Sequence, residues 1–169
     1  MTQRKRVLVY GYGNPGRQDD ALGNEMVIKV QEWIEEHHLN CMNTDSNYQL
    51  NIEDAEEISK WEIVVFIDAS KEGIHEYKYC KIHSSDKKVE FTMHAVSPSY
   101  LLHLSETLFN KKPQAYILGI KGFEWELEEG LSANAKLNLE QAFQFLTREL
   151  SSWALIKKNL PIGMLHEDS

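Results

Sequence analysis

Asp20, Asp68 and His94 stand where they can do chemistry together. Asp19 and Asp20 follow the turn Gly11-Tyr12-Gly13-Asn14-Pro15-Gly16, Asp68 closes the run EIVVFID (Glu62 to Asp68), and His94 precedes Ser97-Pro98. Two carboxylates and an imidazole suit a borderline divalent ion such as Ni²⁺ or Zn²⁺. Each position also has a plainer reading. Paired acids at a helix start stabilise its N-terminus by about 0.3–1 kcal/mol, and that suffices for Asp19. An aspartate ending so apolar a run is costly to bury unless paired or liganded, but it can also serve a cap or turn. A single loop histidine can be structural or exposed. Asp45 is a further carboxylate, readable as a general base or as a turn residue.

The glycine turn formally satisfies GxGxxG after a strand, the pattern of a dinucleotide site. There the pyrophosphate would meet the helix N-terminus, where Asp19 and Asp20 would repel it. The acid expected about 20 residues further on is also misplaced, since Glu35 and Glu36 fall inside the following helix and Asp45 lies beyond it. No GxSxG, HExxH or Cys–His nucleophile signature is present. Cys41 and Cys80 are the only cysteines and lack CxxC spacing, so they read as small buried apolar residues rather than as a disulfide or zinc site. His37, His38, His75, His83 and His166 read as surface residues, and His103 falls in a helix.

A net charge of −8 leaves no general positive excess to draw in a polyanion, which argues against nucleic acid as a partner. No apolar run approaches the roughly 20 residues that cross a bilayer, and Met1 to Arg6 is basic without a signal-type apolar segment. A cytoplasmic protein without a membrane partner is expected.

These residues need elements to position them. Lys5 to Tyr10 reads as a buried strand breaking into a turn at Gly11. From Ala21 to His37, Leu22, Met26, Val30, Trp33 and Ile34 recur at helical spacing. Asn40 to Asp45 is a weaker strand, and Ile52 to Lys60 a short acidic helix. Glu62 to Asp68, apolar almost throughout, reads as a central strand covered on both faces. His75 to His83 alternates like a half-exposed edge strand. Ser97 caps a helix with Pro98 at its first position, running to Phe109. Gln114 to Ile120 is another strand, and Ser132 caps a final helix to about Trp153. Alternating strands and helices with long connections imply a three-layer α/β sandwich around a mostly parallel sheet. Residues 1–157 are expected to form the single domain and 158–169 an irregular tail.

The stretch Gly11-Tyr12-Gly13-Asn14, followed by Asp19-Asp20 and Gly23, resembles the opening signature of the hydrogenase maturation endopeptidases. Val64-Val65-Phe66-Ile67-Asp68-Ala69 resembles that family's strand ending in aspartate. Tyr48-Gln49-Leu50 with Glu53, His94-Ala95-Val96-Ser97-Pro98 with Leu101-Leu102, Lys112-Pro113-Gln114-Ala115 and Gly130-Leu131-Ser132 resemble segments of one branch of it. The resemblance spans about Lys5 to Leu150. It implies a five-stranded twisted sheet with helices on both faces, phosphorylase/hydrolase-like, and a monomeric endopeptidase that removes a C-terminal extension from the nickel-loaded large-subunit precursor of a nickel–iron hydrogenase. It further implies that Asp20, Asp68 and His94 sense nickel belonging to the substrate. No permanently bound cofactor is expected, and Zn²⁺ or Cd²⁺ could substitute in vitro. Two departures stand out: Asp20 replaces a frequent glutamate, and Ala21 a frequent glycine. The histidine is branch-dependent, with His103 as the reserve ligand. The opening Val7 to Gly16 is also similar to peptidyl-tRNA hydrolases, but those continue with a T-R-H-N run where this chain has Asp19-Asp20-Ala21-Leu22. A non-enzymatic chaperone checking nickel loading would use the same residues.

Overall fold

The structure is a computed structural model and describes residues 3–87 and 96–155. Among these residues five strands form one sheet: β1 (Val7–Tyr12), β2 (Met42–Asn47), β3 (Ile63–Ser70), β4 (Tyr77–Ile82) and β5 (Gln114–Lys121). Their order is β2-β1-β3-β5-β4. β1, β2, β3 and β5 run parallel, and β4 joins antiparallel at one edge. The α/β sandwich with a mostly parallel sheet, β3 at its centre and the His75 to His83 region at its edge, is as the sequence indicates.

Among the described residues four helices cover the sheet: α1 (Leu22–Glu36), α2 (Asp54–Ile58), α3 (Pro98–Phe109) and α4 (Ala133–Ala154). α1 and α4 pack on one face, where Leu22, Met26 and Val30 meet Val9, Val65, Ile67, Leu139 and Leu146. α2 and α3 pack on the other, over Leu8, Tyr10, Val64 and Phe66. The period-2 alternation along β1 and β3 sorts their side chains between these two cores. Because both faces are covered, β1 and β3 are buried along most of their length. The caps form as expected: Ser97 Oγ accepts the Tyr100 N–H at 3.1 Å and Ser132 Oγ the Ala135 N–H at 3.3 Å.

Several boundaries differ from the sequence reading. β1 continues through Gly11 to Tyr12, because its neighbour β2 remains paired with it as far as Tyr12 opposite Asn47. β2 likewise passes Asp45, which therefore lies within a strand and not in a turn. β3 runs beyond Asp68 because β5 stays paired with it to Ser70, whereas the β1 pairing stops at Gly11 opposite Ile67. Between the glycine turn and α1 lies a short 3₁₀ turn, Gln18–Ala21. Cys41 and Cys80 are free thiols but only half-buried, since one borders the α1/α4 core and the other opens to a surface cleft. His37, His38, His75 and His83 are exposed as expected. His94, His166 and the 158–169 tail lie outside the described residues.

Candidate active site

The carboxyl ends of β1 and β3 meet the start of α1 at the place where open α/β sheets put their sites. Two glycines make that approach possible. A Cβ on Gly23 would stand 2.5 Å from the Ile67 carbonyl oxygen and 2.7 Å from that of Tyr12, so only glycine lets α1 begin hard against the strand ends. Gly13 has φ +149° and its Cα faces the Asp20 carbonyl, a conformation that side-chain-bearing residues avoid. Its N–H donates to the Asn47 carbonyl at 3.1 Å, which hangs the turn on the end of β2.

The turn holds Asp20 directly. The Asn14 N–H donates to Asp20 Oδ2 at 2.8 Å, while Asn14 Oδ1 accepts the Gly16 N–H at 2.9 Å. The second motif residue, Tyr12, lies across the β1/β3 boundary from Asp68, and its hydroxyl favours the charged form of that carboxyl. Burial, and then the negative charge of Asp20, push the Asp68 carboxyl up to about 7, against the Ala69 N–H and the Tyr12 hydroxyl, which favour its charged form. Burial and the Asp68 charge in turn raise the Tyr12 phenol. The charge of Asp20 thus acts on Asp68 where the glycine turn meets the strand ends.

Asp19, the immediate neighbour, does something different. It is fully buried, and its carboxylate accepts the Phe123 N–H at 2.7 Å, the Glu124 N–H at 2.9 Å, the Ser132 N–H at 2.8 Å and the Ser132 hydroxyl at 2.7 Å. Burial alone would raise its carboxyl, but these donors outweigh it and the net shift is downward. The helix-terminus explanation therefore understates Asp19: it ties the glycine turn to the loop between β5 and α4. Gln18 adds to that tie, accepting the Glu126 N–H at 2.8 Å with its backbone at φ 45°.

Asp45 is exposed on β2, and its Oδ1 accepts the Ser46 N–H at 2.8 Å. Its charge acts on Tyr10 and Asp54, whose side chains are joined by a 3.0 Å hydrogen bond. The structure thus couples Asp20 to Asp68 and Asp45 to the Tyr10–Asp54 pair. His103 lies within α3, its ring 6.0 Å from that of Tyr100. Among the described residues no three His, Cys, Asp or Glu side chains form a metal-holding group; His94, the expected third ligand, lies outside them. A cleft of about 330 Å³ opens from Asp68 across the ends of β5 and β4, lined also by Ser70, Lys71, Glu72, Lys78 and Cys80. Sequence reading missed Tyr12 and this cleft. The first could have been found by noting that residues on adjacent parallel strands share a face; the second depends on strand order.

No protein-family model matches the chain, and no curated protein matches it. Solved structures do. The chain superposes on the [NiFe] hydrogenase maturation protease HycI of Thermococcus kodakarensis KOD1 with a TM-score of 0.68 and 18% identity, over 88% of this chain and 94% of that one. For the hydrogenase maturating endopeptidase HybD of E. coli the TM-score is 0.67 at 15% identity, over 87% and 93%. HybD of Thermococcus kodakarensis gives 0.58 at 19%, over 86% and 99%. The fold of this chain is that of the hydrogenase maturation proteases. No helix among the described residues is long and apolar enough to cross a membrane.

Proposed function

We propose that the protein is a cytoplasmic hydrogenase maturation endopeptidase that acts, as a monomer, on the nickel-loaded large-subunit precursor of a nickel–iron hydrogenase and removes its C-terminal extension. The observation that carries this reading is the convergence of Asp20, held by the Asn14 N–H of the glycine turn, and Asp68 near the end of β3, in a fold whose solved counterparts are hydrogenase maturation proteases. In this reading Asp20, Asp68 and His94 hold nickel that arrives with the substrate. On one route that ion would polarise the scissile carbonyl or activate a water; on the other a carboxylate, Asp45, would serve as general base.

The test is incubation with nickel-loaded and nickel-free precursor, followed by mass measurement of the products. Loss of the extension from the loaded form alone is expected. Nickel-dependent binding without mass loss would make the protein a checkpoint chaperone, and no interaction with either form would overturn the reading. Asp20→Asn and Asp68→Asn should each abolish cleavage in a folded protein. His94→Ala should abolish cleavage and weak metal binding together, whereas His103→Ala should remain active; the reverse result would exchange the two ligands. The purified protein should bind Ni²⁺, Zn²⁺ or Cd²⁺ weakly at most, and zinc that survives chelation would indicate an ordinary metalloprotease.

A further inference from the structure

The cleft beside Asp68 owes its floor to one missing side chain. Asp68 on β3, Gly119 on β5 and Lys78 on β4 lie in one row of the sheet, since Asp68 pairs with Gly119 and Gly119 with Lys78. Residues in register project from the same face, so Asp68 and Lys78 flank a position that has no side chain. The neighbouring row on that face places Cys80 opposite Ile117, and both line the same cleft. Gly119 is not demanded by the backbone. A Cβ there would meet only Ser70 Cβ at 3.7 Å and the Lys78 carbonyl at 3.9 Å, which is ordinary contact. A larger residue would instead fill the groove.

The rim is fastened, so the groove is not an accident of a loose loop. The Gly122 N–H donates to the Ser70 carbonyl at 3.0 Å, Lys121 Nζ donates to the Glu72 carbonyl at 2.6 Å, and Lys71 Nζ lies 4.7 Å from the Trp125 ring centroid. Asp19 anchors the far side of that loop at Phe123, Glu124 and Ser132. Within a chain of net charge −8, the groove carries two lysines, Lys71 and Lys78, with Glu72 the sole acid besides Asp68 among its lining residues. Lys78 is exposed and forms no ion pair among the described residues.

We propose that this groove is the subsite for the peptide segment flanking the scissile bond, with Gly119 leaving room for its backbone and Lys78 pairing with a carboxylate that the segment carries. The inference rests on the endopeptidase reading above. Asp68 belongs to both the groove and the proposed nickel site, so a segment lying along Gly119 and Lys78 enters the site end-on. Volumes from about 300 Å³ upward are those of pockets that enclose small ligands, and a groove of this size holds a short stretch rather than a folded domain.

Gly119→Val and Lys78→Glu test this on the nickel-loaded precursor. Gly119→Val should lower kcat/KM at least about tenfold by blocking the groove, with thermal unfolding near that of the wild type. Lys78→Glu, at an exposed position, should raise KM about fivefold with kcat little changed, the scale of one reversed solvent-exposed charge contact. Reversal of acidic residues near the cleavage point to lysine, one at a time, should restore KM for Lys78→Glu at one position. If the wild type cleaves and Lys78→Glu keeps its KM, the carboxylate pairing is wrong; if folded Gly119→Val also cleaves normally, the groove is not the subsite. A misfolded Gly119→Val leaves the decision to Lys78→Glu and its rescue. A wild type that cleaves nothing overturns the endopeptidase reading and the subsite with it.

Discussion

The two faces of the sheet are built for different ends. Beneath α1 and α4 the most deeply buried side chains are apolar, Val9, Leu22, Met26, Val65 and Leu146 being fully buried, with aromatic residues such as Tyr79, Tyr116 and Trp153 only at the margin. Beneath α2 and α3 the core begins in the same way with Leu8, Val64 and Phe66, but towards the carboxyl ends of the strands it gives way to Tyr10, Tyr12 and Asp68. Burial stabilises the first face mainly by hydrophobic transfer, with the raised Tyr79 phenol at its margin, whereas on the second it raises a carboxyl together with the phenols beside it. Asp19 and Asp68 repeat the contrast on a smaller scale: both are taken from water, but the donors around Asp19 lower it and the surroundings of Asp68 raise it.

The strongest way to break this comparison is at the apolar face. Leu146→Ala leaves a cavity between α4 and the sheet, where the residue is fully buried, and should cost about 2–5 kcal/mol in urea unfolding, with cleavage per folded molecule unchanged. Equal loss of stability and specific activity would mean that the faces are not separable.

Asp19→Asn should come next, at about 2–4 kcal/mol, because an amide nitrogen would confront donors that now point at carboxylate oxygens. A stability within error of the wild type would reduce Asp19 to the helix-terminus role that the sequence alone indicated.

The pH dependence of the metal-free protein sharpens the comparison from the reactive side. Asp68 ionises at about 7 in the folded chain against an ordinary aspartate value of 3.8, so between those values the unfolded chain has already released its proton while the folded chain retains it. Unfolding is then favoured as pH rises from about 4 to 7, by on the order of 2–4 kcal/mol from this group, and no further above 7. Asp68→Asn should flatten that slope in chemical denaturation across the same range. An unchanged slope in the variant would assign the pH dependence to other groups.

Tyr12→Phe should have the smallest effect. It leaves the ring packing intact but removes the hydroxyl that favours ionised Asp68, so the apparent pKa of that carboxyl rises further. Cleavage should fall about three- to tenfold below pH 7 and recover at higher pH, the scale of an ordinary polar contact of about 0.5–1.5 kcal/mol. A loss independent of pH would make the Tyr12 hydroxyl a substrate contact.

By itself the sequence determined the periodicities and the chemistry. Leu22, Met26, Val30 and Ile34 repeat at the spacing of an amphipathic helix, EIVVFID reads as a strand covered on both sides, Ser97-Pro98 announced a capped helix, and Gly11 to Gly23 with Asp20 and Asp68 marked a candidate site, because these signals are local and carried by neighbouring residues. The ends of β1, β2 and β3 were misjudged, since a strand stops where its partner stops and the partner is distant in sequence. Only the tertiary structure decided that Asp19 reaches Ser132 and Phe123, that the Tyr12 hydroxyl acts on Asp68, and that Gly119 lies between Asp68 and Lys78. Each of these depends on which strands are neighbours and on how a loop more than a hundred residues away folds back, contacts made by the packed sheet and not by any stretch of chain.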